Sequence, residues 1–242
     1  MLKIKNLSFN VASDGSEKEI IKDISLEVPK GKLYVITGPN GGGKSTLARL
    51  IAGIEKPSGG SIFFNGEDIT EKSITERAKL GIGFAFQQPV KFKGLRVLDI
   101  IRLAAGKELT VAEVCEYLSL VGLCALEYID REINSSLSGG ELKRIEIATV
   151  IARKSLLTVF DEPEAGIDLW SFNNLIDVFR KQRSEIKDRS ILIISHQERI
   201  LNIADKIIVI KDGYVDAQGD KEEILPRLIG TTSAVKDCRG RA

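Results

Sequence analysis

The spacing of hydrophobic residues along this chain of 242 residues predicts where its strands and helices lie. Apolar residues recur near every second position over residues 2–9, and residues 20–28 form another run of β type. We therefore predict two N-terminal strands, joined by a polar hairpin over residues 13–18. A second hairpin is predicted over residues 206–217, because an Asp-Gly pair separates two apolar runs there.

Three short and almost wholly apolar runs indicate buried strands, at residues 33–37, 156–160 and 190–195. Helical patterns separate these runs, for example over residues 44–53 and 172–182. Strands that alternate with helices are typical of a mostly parallel sheet with helices on both faces. The sequence therefore predicts an α/β fold whose N-terminal strands form an antiparallel β subdomain.

The segment of residues 89–137 has a different character, because Leu, Ala and Glu recur there in helical patterns. We interpret it as a helical subdomain inserted into the α/β core. Residues 1–242 then form a single domain, with the core in residues 1–88 and 138–230 and a tail at residues 231–242.

Composition and charge exclude several classes of protein. The chain has 35 Lys and Arg against 34 Asp and Glu, a net charge of +1, and this balance gives no reason to expect a nucleic-acid partner. No apolar run approaches the roughly 20 residues of a membrane-spanning helix, so we expect no direct membrane insertion. The three cysteines (Cys115, Cys124 and Cys238) are scattered, which favours a reducing, cytoplasmic location.

A glycine-rich loop follows the predicted strand at residues 33–37. Residues 38–45 read GPNGGGKS, which fits the pattern GxxxxGK[ST] between a strand and a helix. In such a phosphate loop the backbone N–H groups converge on phosphate oxygens, Lys44 reaches the β- and γ-phosphates, and Ser45 offers a hydroxyl to Mg²⁺. The alternative is a glycine-rich turn with an incidental lysine, and the motifs that follow disfavour it.

Two acidic residues, Asp161 and Glu162, come directly after the apolar run at residues 156–160. The carboxyl ends of parallel strands face the crevice in which ligands bind. There Asp161 would hold Mg²⁺ through its water shell, and Glu162 would orient and activate an attacking water. Two acids at the start of a surface turn are the alternative, which the phosphate loop makes less attractive.

A second glycine motif, LSGGE at residues 137–141, precedes a helical pattern. Ser138 and Glu141 have the spacing of a capping box, so these residues could simply start the helix. A capped helix end at which Gly139 and Gly140 expose backbone N–H groups is also an anion site. If the two phosphate sites of one chain cannot meet, two chains placed head to tail would pair them.

The only histidine, His196, follows the apolar run at residues 190–195. A lone histidine is usually structural. However, one helix and one strand separate it from Glu162, so the two residues could lie on adjacent strands that face the same crevice. The imidazole could then donate a hydrogen bond to the γ-phosphate.

Together these motifs resemble those of ATP-binding cassette (ABC) ATPases over residues 2–228. The matching segments are GPNGGGKST as Walker A, AFQQP as the Q-loop, LSGGE as the signature, LLTVFDEP as Walker B, AGID as the D-loop and His196 as the switch histidine. The resemblance implies the α/β fold of P-loop NTPases, with ATP and Mg²⁺ as cofactors. It also implies ATP hydrolysis in an ATP-dependent, head-to-tail homodimer, where each ATP lies between one Walker A and the opposite signature.

The same resemblance implies a set of site residues. Glu162, His196 and Gln87 are expected to be catalytic, and Ser45, Gln87 and Asp161 are expected to contact Mg²⁺. The residues expected to bind the nucleotide belong to Walker A, the signature, the D-loop and the adenine side: Gly38, Pro39, Asn40, Gly41, Gly42, Gly43, Lys44, Ser45, Thr46, Ser138, Gly139, Gly140, Glu141, Asp168 and Val11.

Three segments resemble one subgroup of this family in particular. The stretches AFQQPVKFKGL, SGGELKRIEI and SHQERIL are similar to the ATPase of the SUF iron–sulfur cluster assembly system. That subgroup is soluble and lacks the usual aromatic residue near the adenine, and Val11 occupies the matching position here. The D-loop sequence EAGID and the short stretch between Gln87 and Ser138 depart from typical SUF members. This resemblance implies a SUF-type scaffold as the partner that ATP drives.

Two other functions remain open on the sequence. The chain could be the ATP-binding subunit of a membrane transporter that associates with a separate permease. It could also be a nucleotide-binding module without hydrolysis, which Glu162 and His196 disfavour. Beside Gln87, Phe92 and Leu95 either anchor their loop or form the centre of a docking patch for the partner, with Lys91 and Lys93 at its rim.

Overall fold

A mixed β-sheet organises the computed structural model, which describes residues 1–13, 16–134, 136–185 and 187–237. The strands are β1 (Leu2–Ser13), β2 (Ser16–Val28), β3 (Leu33–Thr37), β4 (Gly59–Phe64), β5 (Glu67–Asp68), β6 (Ile82–Ala85), β7 (Leu157–Asp161), β8 (Ser190–Ile194), β9 (Lys206–Lys211) and β10 (Tyr214–Asp220). They lie in the order β5-β4-β1-β2-β10-β9-β3-β8-β7-β6.

Parallel pairing joins β6 to β7, β7 to β8, and β3 to both β8 and β9. The pairs β1–β2, β1–β4, β4–β5 and β9–β10 are antiparallel. The expected mostly parallel core with an N-terminal antiparallel subdomain is therefore confirmed. The carboxyl ends of β3, β7 and β8 lie side by side, because Ile194 of β8 is in register with both Asp161 and Ile36.

The helices are α1 (Lys44–Ala52), α2 (Ile74–Lys79), α3 (Val97–Ala105), α4 (Val111–Leu120), α5 (Ala125–Tyr128), α6 (Gly139–Ala152), α7 (Leu169–Glu185), α8 (Glu198–Ile203) and α9 (Lys221–Asp237). They cover both faces of the sheet. On β3, Leu33 and Val35 belong to one hydrophobic core, while Tyr34 and Ile36 belong to the other. None of the described helices is long and apolar enough to cross a membrane.

The inserted segment contains α3, α4 and α5. Its two ends are tied together by backbone hydrogen bonds, from the N–H of Val97 to the carbonyl of Arg131 and from the N–H of Ile133 to the carbonyl of Leu95. Its buried side chains, such as Val114, share one core with α6. The subdomain thus packs directly on the helix that follows the LSGGE segment.

Some elements extend further than the sequence pattern indicated. The strands β1 and β2 reach Ser13 and Ser16, which pair with each other, so residues expected in a polar hairpin continue the antiparallel ladder. Residues 231–237, expected as part of a tail, continue the helix α9. Cys115 packs partly on the core, whereas Cys124, which directly precedes the short helix α5, is exposed. Cys238 lies outside the described residues.

Candidate nucleotide site

The phosphate loop (residues 38–45) connects the end of β3 to the start of α1. At Gly38 the backbone has φ 135°, and an added Cβ would lie 2.0 Å from the carbonyl oxygen of Ile210. At Gly43, which has φ 102° and precedes α1, an added Cβ would lie 2.6 Å from Cδ1 of Ile21. Both positions therefore require glycine. The resulting backbone presents the positive end of α1 toward a bound anion.

Lys44 is held over this loop and is only 7% exposed. Its Nζ donates hydrogen bonds to the carbonyl oxygens of Gly38 and Pro39, at 2.8 Å each. Burial lowers the pKa of Lys44, while the nearby carboxylates of Glu162 and Asp161 act in the opposite direction. Lys44 is not an incidental surface lysine, since the fold encloses its charge beside two acids.

Asp161 ends β7 and is 2% exposed. The Ser45 hydroxyl donates a hydrogen bond to Oδ1 of Asp161 over 2.9 Å, which joins the start of α1 to the end of β7. Burial raises the pKa of Asp161, and the bond from Ser45 partly offsets that effect. A hydroxyl and a carboxylate are oxygen ligands of the kind Mg²⁺ takes together with water and substrate phosphates, so the two side chains fit that ion.

Within the described residues, no group of three or more His, Cys, Asp or Glu could hold a metal ion by itself.

Gln87 and Glu162 are also brought together. Gln87 lies just beyond β6, and its Nε2 donates a hydrogen bond of 2.6 Å to Oε2 of Glu162. The backbone of Glu162 has φ 45°, in the left-handed region that costs about 1–3 kcal/mol for a residue other than glycine. A hydrogen bond from its N–H to the carbonyl of Ile194 helps to hold this conformation. The strained backbone is therefore that of Glu162, the acid predicted to activate water.

His196 lies two residues beyond the end of β8, the strand next to β7, and it is exposed. The charges of His196 and Glu162 both act on Glu164, the first lowering and the second raising the pKa of that carboxyl. Both predicted catalytic residues therefore lie within electrostatic reach of one acid. That Glu162 and His196 face one nucleotide in a shared crevice stays a prediction.

Glu164 itself was missed by the sequence analysis. Its Oε1 accepts a hydrogen bond from the hydroxyl of the fully buried Ser195, and that hydroxyl accepts one from the N–H of Gln197. The other oxygen, Oε2, is buried and accepts no hydrogen bond from the part of the chain that the structure describes. Burial is the main reason that the pKa of Glu164 is raised. An acid three residues after Asp161, in the turn that leaves β7, is the sequence signal that could have drawn attention to it.

The signature segment (residues 137–141) starts α6 with the predicted capping box. The Ser138 hydroxyl accepts a hydrogen bond from the N–H of Glu141, and the Glu141 carboxylate accepts one from the N–H of Ser138. The Tyr128 hydroxyl also donates to Glu141. An added Cβ on Gly139 would meet no atom within 4 Å, so this glycine faces open space. In the described part of the chain these hydrogen bonds stay local and do not reach the phosphate loop.

The other predicted nucleotide contacts lie around this centre. Asp168 accepts hydrogen bonds from the N–H and the hydroxyl of Ser171, and so caps the start of α7. Val11, on β1, pairs with Lys18 and is 41% exposed. Pro39, Asn40 and Gly41 are exposed at the tip of the phosphate loop, whereas Gly42 is buried and Thr46 is half-buried.

A family model described as "ABC transporter" matches residues 21–165 of the chain. The chain belongs to this family. The expected ABC fold and the expected assignment as an ATPase are thereby confirmed.

Similar proteins of this ABC family are known from archaea and cyanobacteria. The chain is 41% identical over 217 residues to "Uncharacterized ABC transporter ATP-binding protein MJ0035" of Methanocaldococcus jannaschii, covering 86% of this chain and 85% of that protein. It is 36% identical over 222 residues to "Sulfate/thiosulfate import ATP-binding protein CysA" of Synechocystis sp., covering 89% of this chain but spanning 60% of that protein's length.

The fold is also that of solved ABC cassettes. The dimeric post-hydrolysis structure of the ATP-binding cassette MJ0796, bound to ADP and Pi, superposes with a TM-score of 0.81 at 23% identity, covering 91% of this chain and 99% of that one. The names of these two relatives favour the transporter subunit over the SUF-type function, which the sequence motifs had placed first.

Proposed function

We propose that this ABC ATPase is the ATP-hydrolysing subunit of a membrane transporter, which works as an ATP-dependent homodimer at the cytoplasmic face of the membrane. The main support for the proposal is that two adjacent acids, Asp161 and Glu162, are each held by a hydrogen bond. Ser45 binds Asp161 and Gln87 binds Glu162, beside the enclosed charge of Lys44. The names of relatives that are transporter ATP-binding proteins support the choice of a transporter.

In the proposed reaction, the phosphate loop and Lys44 bind the β- and γ-phosphates of ATP. To do so, Lys44 exchanges its bonds to the carbonyls of Gly38 and Pro39 for bonds to phosphate oxygens. Ser45, Asp161 and Gln87 would hold Mg²⁺, which neutralises charge on the phosphates when bound. Glu162 orients the attacking water and accepts its proton, and His196 donates a hydrogen bond to the γ-phosphate.

The signature segment takes part only in the dimer. Gly139 is exposed at the N-terminal end of the 14-residue helix α6, where backbone N–H groups and the helix dipole favour an anion. Since its hydrogen bonds within one chain are local, we assign it to the ATP bound by a second copy. Two such copies placed head to tail would enclose two ATP molecules.

The loop after Gln87 supplies a docking surface for the permease. The N–H of Phe92 donates to the carbonyl of Ile133 over 3.2 Å, so the backbone already anchors this loop. The Phe92 side chain is nevertheless 40% exposed, and Val90 is also exposed. Both border an apolar groove whose wall includes Phe84 and Phe86. An exposed aromatic residue at a groove, with Lys91 and Lys93 beside it, fits the centre and rim of an interface.

Purification of the tagged chain from detergent-solubilised membranes and from the aqueous fraction of its own cells tests this proposal. We expect the membrane fraction to yield a multispan protein that stimulates ATP hydrolysis, and Phe92→Ala to lose it. Recovery of a water-soluble, β-rich scaffold instead, with no membrane protein, would contradict the transporter function and favour the SUF-type one.

A further inference from the structure

A buried ion pair on α6 contacts the backbone of the Q-loop (residues 85–89). Lys143 has no exposed surface, and its Nζ lies 3.2 Å from Oε2 of Glu146, one turn further along the helix. Burial raises the pKa of Glu146, while the charge of Lys143 lowers it. Neither residue was predicted from the sequence to have a function.

The two side chains bind both polar groups of one Q-loop residue. Oε1 of Glu146 accepts a hydrogen bond of 2.8 Å from the N–H of Phe86, and Nζ of Lys143 donates to the carbonyl of Phe86. Lys143 also lies 3.2 Å from the carbonyl oxygen of Gln87, to which it donates a second bond. Because the Lys143 ammonium is enclosed, movement of this backbone away from α6 would leave it without its two carbonyl partners and the Glu146 carboxylate without its N–H donor, which is costly.

These contacts complete a connected path between two parts of the proposed ATP site. At one end, the amide of Gln87 binds Glu162. At the other end, α6 begins with the signature glycines, and Lys143 lies one turn from Gly139. We propose that Lys143 and Glu146 act as a clamp that makes the signature segment move with the Q-loop. They are positioning residues for ATP held by the opposite copy, and this inference rests on the proposed function.

If Lys143 and Glu146 only stabilised the fold, their positions would not require charged side chains. Buried ion pairs are often replaced by apolar residues of similar volume without loss of stability. An apolar pair at these positions could fill the same space, but it could not bind the N–H and carbonyl groups of Phe86. Replacing the ion pair by apolar residues can therefore preserve the stability of the fold while it removes the link to the Q-loop.

The decisive variant is the double substitution Lys143→Met/Glu146→Leu, made in the wild type and in a Glu162→Gln background that retains ATP. Binding of a fluorescent ATP analogue to the monomer, ATP-driven dimer formation by light scattering, and kcat are measured. We expect the affinity for the analogue to stay within about twofold, because the phosphate loop is intact. The ATP concentration for half-maximal dimer formation should rise, and kcat should fall, by about tenfold or more, as is common for coupled sites.

Arg77→Met is the matched control. Arg77 is another buried cation that binds backbone carbonyls, those of Leu50, Ile51, Thr70 and Lys72, and among the described residues none of these hydrogen bonds reaches the Q-loop. Arg77→Met should lower the melting temperature. At temperatures below the melting transition, its dimer formation and kcat should stay within about twofold of the wild type. Equal losses in this control would overturn the clamp, because general destabilisation would then explain them.

The outcomes also distinguish the clamp from the proposed function. If the Glu162→Gln parent forms no dimer with ATP, both fail together. If the parent forms dimers and the double variant does so at the same ATP concentration with an unchanged kcat, only the clamp fails. Should the double variant not fold, Lys143→Met/Glu146→Gln leaves no buried charge and removes the bonds to the carbonyls of Phe86 and Gln87, and an unchanged kcat and ATP-driven dimer in that variant would overturn the clamp.

Discussion

Replacement of Gly139 by alanine separates folding from function in the signature segment. Gly139 is the first residue of α6, and an added Cβ meets no atom within 4 Å. Alanine is favoured over glycine in helices by up to about 1 kcal/mol. For a chain of this size, such a gain in the free energy of unfolding raises the melting temperature by about 2–4 °C. We therefore expect Gly139→Ala to be as stable as the wild type or slightly more stable.

The same methyl group should be harmful in the ATP-bound dimer. In the proposed arrangement, the backbone N–H groups at the start of α6 approach the γ-phosphate of the opposite copy, and a Cβ would hold that phosphate away. Loss of one such preorganised donor typically reduces kcat by about 10²–10³-fold. We expect a loss of kcat of about that size, with ATP binding to the isolated chain unchanged.

The assay compares Gly139→Ala with Gly230→Ala by differential scanning calorimetry and steady-state hydrolysis of ATP. Gly230 also lies in a helix, is exposed, and has no atom within 4 Å of an added Cβ, but it is remote from the signature in sequence. Both variants should keep or raise the melting temperature, and only Gly139→Ala should lose activity. A Gly139→Ala protein with wild-type kcat would refute the assignment of this segment to the opposite ATP.

Three further predictions concern single side chains. Lys44→Ala should weaken ATP binding by about tenfold or more, measured by fluorescence titration, because it removes an enclosed charge aimed at the phosphates; unchanged affinity would count against that contact. Phe92→Ala should reduce stimulation by the permease and spare the basal rate, whereas a lower melting temperature with unchanged permease affinity would make Phe92 a core residue. The folded-state pKa of Glu164 lies above its usual 4.5, so ionisation destabilises the fold as pH rises through and above that value. Glu164→Gln cannot ionise, so its melting temperature should gain on the wild type as the pH rises above 4.5, and a constant difference would contradict the burial argument.

Local patterns in the sequence were sufficient to predict much of the fold. The predicted inward face of α7 is buried at Phe172, Leu175, Ile176 and Phe179, because the periodicity of a helix is set by nearby residues. The Asp-Gly turn between β9 and β10 is likewise local, and both of its residues have positive φ. The strand ends that carry Asp161 and His196 followed from short apolar runs.

Contacts between distant segments could not be predicted in this way. Lys143 lies in a polar stretch of α6 and would be placed on a solvated face by its residue type alone. It is buried because the Q-loop, more than 50 residues earlier, supplies carbonyl oxygens for its charge. The bond between Glu164 and Ser195 similarly depends on the register of β7 with β8. Residue type and periodicity do not encode such pairings.

The mass of the Glu162→Gln protein in solution, measured by light scattering with and without ATP, tests the central claim most directly. Glutamine keeps the shape of the side chain but cannot accept the proton of the attacking water, so ATP should bind and persist. The account predicts a monomer without nucleotide and a dimer with ATP, while the wild type hydrolyses its ATP and returns to monomer. A Glu162→Gln protein that binds ATP and keeps the monomer mass, or one that hydrolyses ATP at the wild-type rate, would contradict it.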